Sequence, residues 1–493
     1  MKYIPTIGLE VHMELKTATK MFCRCPNNSD EKAPNENVCP ICLGHPGTLP
    51  IANKEAIRAI LKLGMALGGK IPAMSRFDRK SYFYPDLPKG YQISQYEYPF
   101  VQGGELAGVK LRRIHLEEDA GKLLHSASVS SGRSGSSGAE TLCDFNRAGI
   151  PLMELVTEPD IKSGEQAVRF TKELQLILRY LEISSADMER GEMRLEANIS
   201  VHSEDTDRLG TKVEVKNLNS FAFMAKAIDY EIKRQEEALE RGEKIIQETR
   251  GWDSANNRTY SQRSKEEAHD YRYLPEPDLP PYDLTDESFV NLEELRASIP
   301  ELPWEKRERF VKEFGITKKN AEMFIENRLF AEYYEETASE IMAENVTPEE
   351  KKGALRLAAN YMLADVKGAM NKAGVDISAF RTKVSPENMA DLVILITKGN
   401  LSSRMAKDIL TEMYEKGLDP RNIINEKGIT QVTDERTIAK AIKEVLAENL
   451  KAVEDYKKGK GNALQFLFGK VMIKLEGQGN PEAIKKSLEE TFK

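Results

Sequence analysis

IPTIGLEVHMEL, residues 4–15, alternates without a break: Pro5, Ile7, Leu9, Val11 and Met13 share one side of an extended chain, and Glu10, His12 and Glu14 share the other. Successive strand side chains point to opposite faces, so the segment is expected to be a strand with one apolar and one polar face. MRLEANISV (193–201) repeats the pattern through Met193, Leu195, Ala197, Ile199 and Val201, and Val213 and Val215 extend it. One-sided strands fit an antiparallel sheet better than a doubly wound parallel one, whose strands are buried on both faces. Helical periodicity at 54–67, 164–182 (with Ser163 as N-cap) and 220–241 makes the expected class α+β.

The polar faces are where chemistry can reside. Arg194, Glu196, Asn198 and Ser200 lie on one strand, and Lys212, Glu214 and Lys216 on another. Any single solvated strand face would look similar, but three with charges of both signs suggest a lined groove. In VKLRRIHLEED (109–119), alternation sets Glu118 in line with Ile114 and Leu116. A carboxylate that continues an apolar face is costly unless it is paired or holds a metal. Glu154 interrupts PLMELV (151–156) in a similar way. Glu10, His12, Glu118 and Glu154 make three carboxylates and an imidazole, a set suited to Mg2+ or Mn2+ rather than zinc. No Gly-Lys pair is followed by Ser or Thr and no G-x-G-x-x-G occurs, so a known phosphate loop is missing. Phosphates would have to meet dispersed cations: Arg147, Arg194, Lys216, Arg250, Arg258, Arg263 and Arg272.

Four of the five cysteines fall within 20 positions, as Cys23-Arg24-Cys25 and Cys39-Pro40-Ile41-Cys42. Such spacing shapes a loop around zinc, with a cluster of free or regulatory thiols as the alternative. Sparse cysteine, and an N-terminus that runs directly into a strand pattern without a signal or transit peptide, point to a reducing cytoplasm. Cys143 stands alone and is expected to be a buried apolar filler. No apolar run is long enough to span a bilayer.

With 71 basic against 79 acidic residues, the net charge of −8 argues against a protein that coats nucleic acid. Lys457, Lys458, Lys460, Lys470 and Lys474 nonetheless fall in an acid-free stretch near the C-terminus. They form either a solvated helix face or a local seat for a polyanion. The length calls for two to four domains. Proline-rich PEPDLPPYDL (275–284) ends the strand-rich part, and almost only helical periodicity follows: about 291–298, 304–314, 317–327, 331–343, 348–372, 386–398, 402–416, 433–456 and 461–475. The expected division is 1–290, a helical domain at 291–400, and a tail at 401–493. Residues 126–139, SASVSSGRSGSSGA, read as a flexible loop. They superficially match the Ser/Gly-rich signature of serine amidases but promise neither a fixed nucleophile elbow nor a lysine relay.

Taken together, the motifs resemble those of the GatB/GatE family, the B subunits of the glutamyl/aspartyl-tRNA amidotransferases, from end to end. The carrying stretches are IGLEVHMEL (7–15), FCRC and CPICLGHPGTLP (22–25, 39–50), RKSYFYPDLPKGYQISQ (79–95), HLEEDAGK (115–122), DFNRAGIPLMELVTEPD (144–160), MRLEANISV (193–201), VKNLNSF (215–221), ETRGWD (248–253) and AHDYRYLPEPDL (268–279). LSSRMAKDIL (401–410) and the stretch from Gly459 to Pro481, including Gln465, Phe466 and Gly469, carry the tail.

This resemblance implies an antiparallel-sheet cradle of the glutamine synthetase/guanido kinase type, a helical middle domain and a YqeY-like tail. It implies an ATP-dependent carbon–nitrogen ligase working in a heterotrimer with the amidase, a glutaminase, and a small third subunit of the GatC type. ATP would phosphorylate the side-chain carboxylate of Glu or Asp misattached to tRNA(Gln) or tRNA(Asn), and ammonia from glutamine would displace the phosphate. On this likeness Glu10, His12, Glu118 and Glu154 match magnesium positions, and Cys23, Cys25, Cys39 and Cys42 match structural zinc positions. Arg147, Asn198, Lys216, Asn217 and Arg250 become candidates for phosphate or acyl contacts, with Lys216, Arg250 and Arg272 toward ATP. Lys457, Lys458, Lys460 and Lys470 become candidates for the tRNA backbone, with Phe466 and Phe468 as core. Lys80 and Lys89, flanking YFYPDLP, lie where the family places the surface that receives ammonia, or are exposed charges at a proline turn. Two departures stand out: the tract 126–139 is long, and LEAN (195–198) replaces the commoner Cys-Asp-Ala-Asn. A non-catalytic, zinc-stapled tRNA-binding scaffold is the rival reading.

Overall fold

The alternating segment forms β1 (Tyr3–Glu14), with Ile7, Leu9, Val11 and Met13 buried and Glu10, His12 and Glu14 on the other face. The computed structural model describes residues 3–125, 141–206, 208–264, 271–428, 434–457, 461–475, 479 and 481–492. The Ser/Gly-rich tract 126–139 lies outside them. Chain contacts divide the molecule into two units, Met1–Pro303 and Trp304–Lys493.

In the first unit β1 is central to a nine-stranded sheet. Its other strands are β2 (Val101–Gln102), β3 (Glu105–Leu106), β4 (Val109–Glu118), β5 (Pro151–Thr157), β6 (Met193–Ser203), β7 (Val213–Lys216), β8 (Glu248–Asp253) and β9 (Arg258–Ser264). The spatial order is β9-β8-β7-β6-β1-β5-β4-β2, with β3 pairing β4. Among the described residues every pairing in this sheet is antiparallel except β7 with β8. A helix fills that crossover, as a parallel connection requires. Among the described residues the sheet is thus antiparallel-rich, in a mixed α+β unit.

Three helices match the sequence pattern: α1 (Lys54–Ala66), α2 (Gly164–Tyr180) and α3 (Phe221–Glu240). Ser163 and Ser220 cap α2 and α3 by accepting from the Gln166 and Phe223 amides, which satisfies donors left free at a helix start. α3 packs on β6 and α2 packs on α3, covering the apolar side. Leu195, Ala197, Ile199, Val213 and Val215 are buried there, each large aliphatic contributing about 1.5–3 kcal/mol. The opposite side stays open as a groove.

The proline-rich stretch 275–284 lies within this unit, since Leu274–Pro275 pairs with Asp78 and Arg79, and Tyr282–Asp283 pairs with Met74 and Ser75. Cys143 is not a buried filler: it sits half-exposed in a two-stranded hairpin, Lys122–His125 with Thr141–Asp144.

The second unit is helical, as the periodicity indicates. The long 348–372 segment is helical throughout, α over Pro348–Tyr361 and Lys367–Ala373 with a π-helical stretch at Met362–Val366 between them. Pro420–Lys427 is a helix where the residue pattern suggests a break; Asp419 caps it and Pro420 occupies its first turn. Near the C-terminus a small core gathers Ile438, Ile442, Val445, Leu467, Val471, Ile484 and Leu488. Phe468 packs on that core, but Phe466 is 49% exposed and is not part of it.

Candidate functional site

Register explains how the charged residues meet. In the ladder, His115 of β4 lies opposite Glu154 of β5, Glu154 opposite His12 of β1, and His12 opposite Arg194 of β6. One step along, Glu10 lies opposite Glu196. Paired residues share a face, so Glu10, His12, Glu154, Arg194 and Glu196 project together into a groove of about 1140 Å³, with His115 buried beside Glu154.

At its centre His12 Nε2 is 3.4 Å from Glu154 Oε2 and 3.6 Å from Glu117 Oε1, and His115 Nε2 is 3.1 Å from Glu154 Oε2. Ligand atoms of His12, Glu117 and Glu154 all lie within 4.8 Å of one another. Glu10, Glu196 and Glu214 form a second such group, crossed by Lys216, whose Nζ is 2.9 Å from Glu196. Asn198 donates to Glu10 Oε1 at 2.8 Å.

The electrostatics follow from this crowding. Burial and the neighbouring Glu154 and Glu196 carboxylates raise Glu10 above its ordinary value, with Asn198 opposing. Burial works against charge on Glu154, but His115 and His12 outweigh it and hold the carboxyl well below the usual range. Burial likewise opposes a charged His12, yet Glu154 and Glu117 push it up to about 9. At one end of the groove Asp119, buried but held ionised by its arginines, receives Arg194 Nη2 at 2.7 Å and lies 3.7 Å from Arg147 Nε. Burial and Asp119 push Glu14 up to about 8. Arg147 is fixed further by the carbonyls of Ala120 and Gly121. Lys80, Tyr271 and Tyr273 line another wall, with the Lys80 ammonium 5.0 Å from the Tyr271 ring centre and 4.0 Å from Glu117 Oε2.

The cysteines converge as their spacing indicates. All four Sγ atoms lie within 4.8 Å of one another, with Cys39 and Cys42 at 3.9 Å. Tetrahedral zinc with Zn–S near 2.3 Å needs sulfurs about 3.8 Å apart, so the cluster fits. The Cys39 amide donates to Cys42 Sγ at 3.1 Å. Hydrogen bonding from Cys23, with that amide and Lys20, lowers the Cys42 thiol to about 5 against the effect of burial.

Residues 5–290 match the family model of the GatB/GatE catalytic domain, and residues 342–492 match that of a GatB domain. The chain belongs to the GatB/GatE family. It is 46% identical over 490 residues to the B subunit of the aspartyl/glutamyl-tRNA(Asn/Gln) amidotransferase of Thermotoga maritima, covering 98% of this chain and 97% of that one. The protein of the same name from Persephonella marina is 43% identical over 501 residues, with both chains fully covered.

Within this GatB/GatE catalytic domain the groove gathers Glu10, His12, Glu154, Arg147 and Lys216, with Asn198 bonded to Glu10. Glu118 is not among them. Its place in line with Ile114 and Leu116 turns it to the opposite face, where Lys89 and the Ile93 amide satisfy it. The groove receives Glu117 instead, which alternation assigns to the polar face. Arg250 also faces away: it is paired with buried Val215, and its guanidinium is taken up by Glu248, Thr259 and Glu231. Asn217 is exposed at the end of β7 with φ 62°, and Arg272 is exposed with φ 41°; neither lines the groove. Lys89 lies beside a cavity of about 60 Å³ bordered by Cys42 and Glu118. Glu117 and Asp119 are groove residues missed from sequence, as is His115, the buried partner of Glu154, although all three share VKLRRIHLEED. Lys457 and Lys470 are exposed helix residues, Lys470 lying 5.5 Å from the Phe466 ring centre. Lys458 and Lys460 lie outside the described residues. Among the described residues no helix is long and apolar enough to cross a membrane.

Proposed function

We propose that this chain is the kinase-and-transamidation component of a cytoplasmic tRNA-dependent amidotransferase. Its partners in a heterotrimer would be the amidase, a glutaminase, and a small third subunit of the GatC type. Its substrates would be ATP, ammonia and Glu-tRNA(Gln), Asp-tRNA(Asn) or both. The carrying observation is the His12–Glu117–Glu154 set, flanked by clamped arginines, in the groove of a GatB/GatE catalytic domain. The sheet around it would be the cradle of the glutamine synthetase/guanido kinase type.

A carboxylate acylates poorly because oxide would have to leave. Transfer of the ATP γ-phosphoryl group to a side-chain oxygen makes an acyl phosphate and ADP. Ammonia then attacks the carbonyl carbon, phosphate departs with the C–O electron pair, and a proton is lost to give the amide. His12, Glu117 and Glu154 would hold a Mg2+ or Mn2+ ion, whose charge offsets that of the transferring phosphoryl group. The donor set is hard, oxygen-rich and compact enough for such an ion. His115 orients Glu154. Arg194 and Arg147, pre-positioned by Asp119, and Lys216 at the other end supply fixed positive groups for phosphate oxygens. Cys23, Cys25, Cys39 and Cys42 would hold a structural Zn2+. Lys457, Lys458, Lys460 and Lys470 of the tail would meet the tRNA backbone.

The test is co-purification with the glutaminase and the small GatC-type protein, followed by an assay on both mischarged tRNAs with and without ATP. ATP-dependent amide formation on at least one is expected. Tight tRNA binding without ATP-dependent amide formation on either would leave only a zinc-stapled scaffold.

A further inference from the structure

Lys20 has no role in the chemistry above, yet it is completely buried. It follows β1 at the entry to the cysteine loop. Its Nζ lies 2.7 Å from the Asn37 carbonyl, 3.3 Å from the Phe145 carbonyl and 4.0 Å from Cys42 Sγ. A buried ammonium is costly unless a negative group compensates it. Two carbonyls supply dipoles only, and the negative group that its Nζ reaches is the Cys42 sulfur as a thiolate. Four thiolates around Zn2+ carry two formal negative charges, and these lie where the ammonium points.

The same side chain joins segments distant in sequence. Asn37 belongs to the cysteine loop, whereas Phe145 begins the turn that carries Arg147. That turn presses on the loop at Gly149, whose φ is 86° and whose added Cβ would stand 3.4 Å from Cys42 Cβ and 3.5 Å from Lys20 Cδ. The Gly149 carbonyl also accepts from the Met21 amide at 2.7 Å.

We propose that Lys20 is the counter-ion of the thiolate-bound zinc and the tie between the metal loop and the turn that presents Arg147 to the groove. The proposal rests on reading the four cysteines as a zinc site, so zinc content of the wild-type holo-complex is measured first. Absence of zinc there overturns that reading as well, whereas a zinc-loaded wild type isolates the role of Lys20.

K20M keeps the length of the chain and removes the charge. In chelator competition it is expected to hold zinc about 10–100-fold more weakly, the usual cost of losing an outer-shell partner. Amide hydrogen exchange at residues 145–149 is expected to accelerate in the same variant. Zinc affinity within about twofold of wild type in folded K20M would overturn the counter-ion role. Unchanged exchange at 145–149 would overturn the tie. Should K20M not fold, amine labelling of the wild-type complex decides: Lys20 is expected to be protected while zinc is bound and labelled once it is chelated away. Equal labelling in the two states would overturn the proposal.

Discussion

Replacing Glu117 by Gln keeps the shape of the side chain and removes one charge from the centre of the groove. Glu117 is only 2% exposed, with Oε1 3.6 Å from His12 Nε2 and Oε2 accepting from Ser94 Oγ at 3.1 Å. Two unit charges 4 Å apart interact by about 4 kcal/mol at an effective dielectric near 20, and a bound cation would lose an attraction of that order. Lys80, 4.0 Å away, keeps its positive charge and repels the cation further. At 1.36 kcal/mol per decade, E117Q in the heterotrimer should lower kcat/KM for ATP-dependent amide formation by about 10²–10³-fold. The magnesium requirement should move to higher concentration, while the dissociation constant for tRNA stays within about twofold, because the tail is remote in sequence from this site and phosphate contacts dominate affinity. The assay is initial-rate amide formation across a magnesium titration, with a melting curve as folding control. A folded E117Q complex within about threefold of wild-type kcat/KM would refute the placement of the cation.

Two further outcomes test the scaffold. In Gly164→Ala the new Cβ would stand 2.7 Å from the Ala225 carbonyl oxygen and 2.9 Å from Ala225 Cα. The resulting separation of α2 from α3 should cost about 1–3 kcal/mol, read as a lowered melting temperature. In the second unit, burial opposes charge on Glu335, but Lys306 and Arg309 overcome it and hold the carboxyl below its ordinary value. A depressed carboxyl contributes stability above its unfolded value and loses it as pH falls through the folded one. Glu335→Gln should therefore reduce stability by about 0.5–1 kcal/mol at pH 7, discounted for partial exposure, and the deficit should shrink as pH falls below the ordinary carboxylate range. An equal deficit at neutral and acid pH in chemical denaturation would show that the ion pair is not its source.

Much of the site is legible in the sequence because alternation fixes strand faces. Period-two patterns group Glu10, His12, Arg194, Glu196, Glu214 and Lys216, and register brings them into one groove. The same rule places Glu118 with Ile114 and Leu116, and that placement holds. What fails is the step from buried carboxylate to metal ligand, since Lys89, far away in the pattern, neutralises it. Arg250 misleads for a related reason. It stands two residues from buried Trp252 on the same face, so its charge serves Glu231 and Glu248 under the sheet. The parallel pairing of β7 with β8 is invisible in one-sided strands, because it depends on α3 crossing between them. In the second unit Asp419-Pro420 looks like a break because a cap and a first-turn proline begin a helix with the same residues that end one.

The most direct test is diffraction from crystals of the chain soaked in Mn2+, recorded at the manganese edge. An anomalous peak should appear within about 2.5 Å of His12 Nε2 and of carboxylate oxygens of Glu117 and Glu154. A well-ordered groove with no peak there, or a peak beside Glu118 instead, would contradict the assignment of that cluster as the cation site.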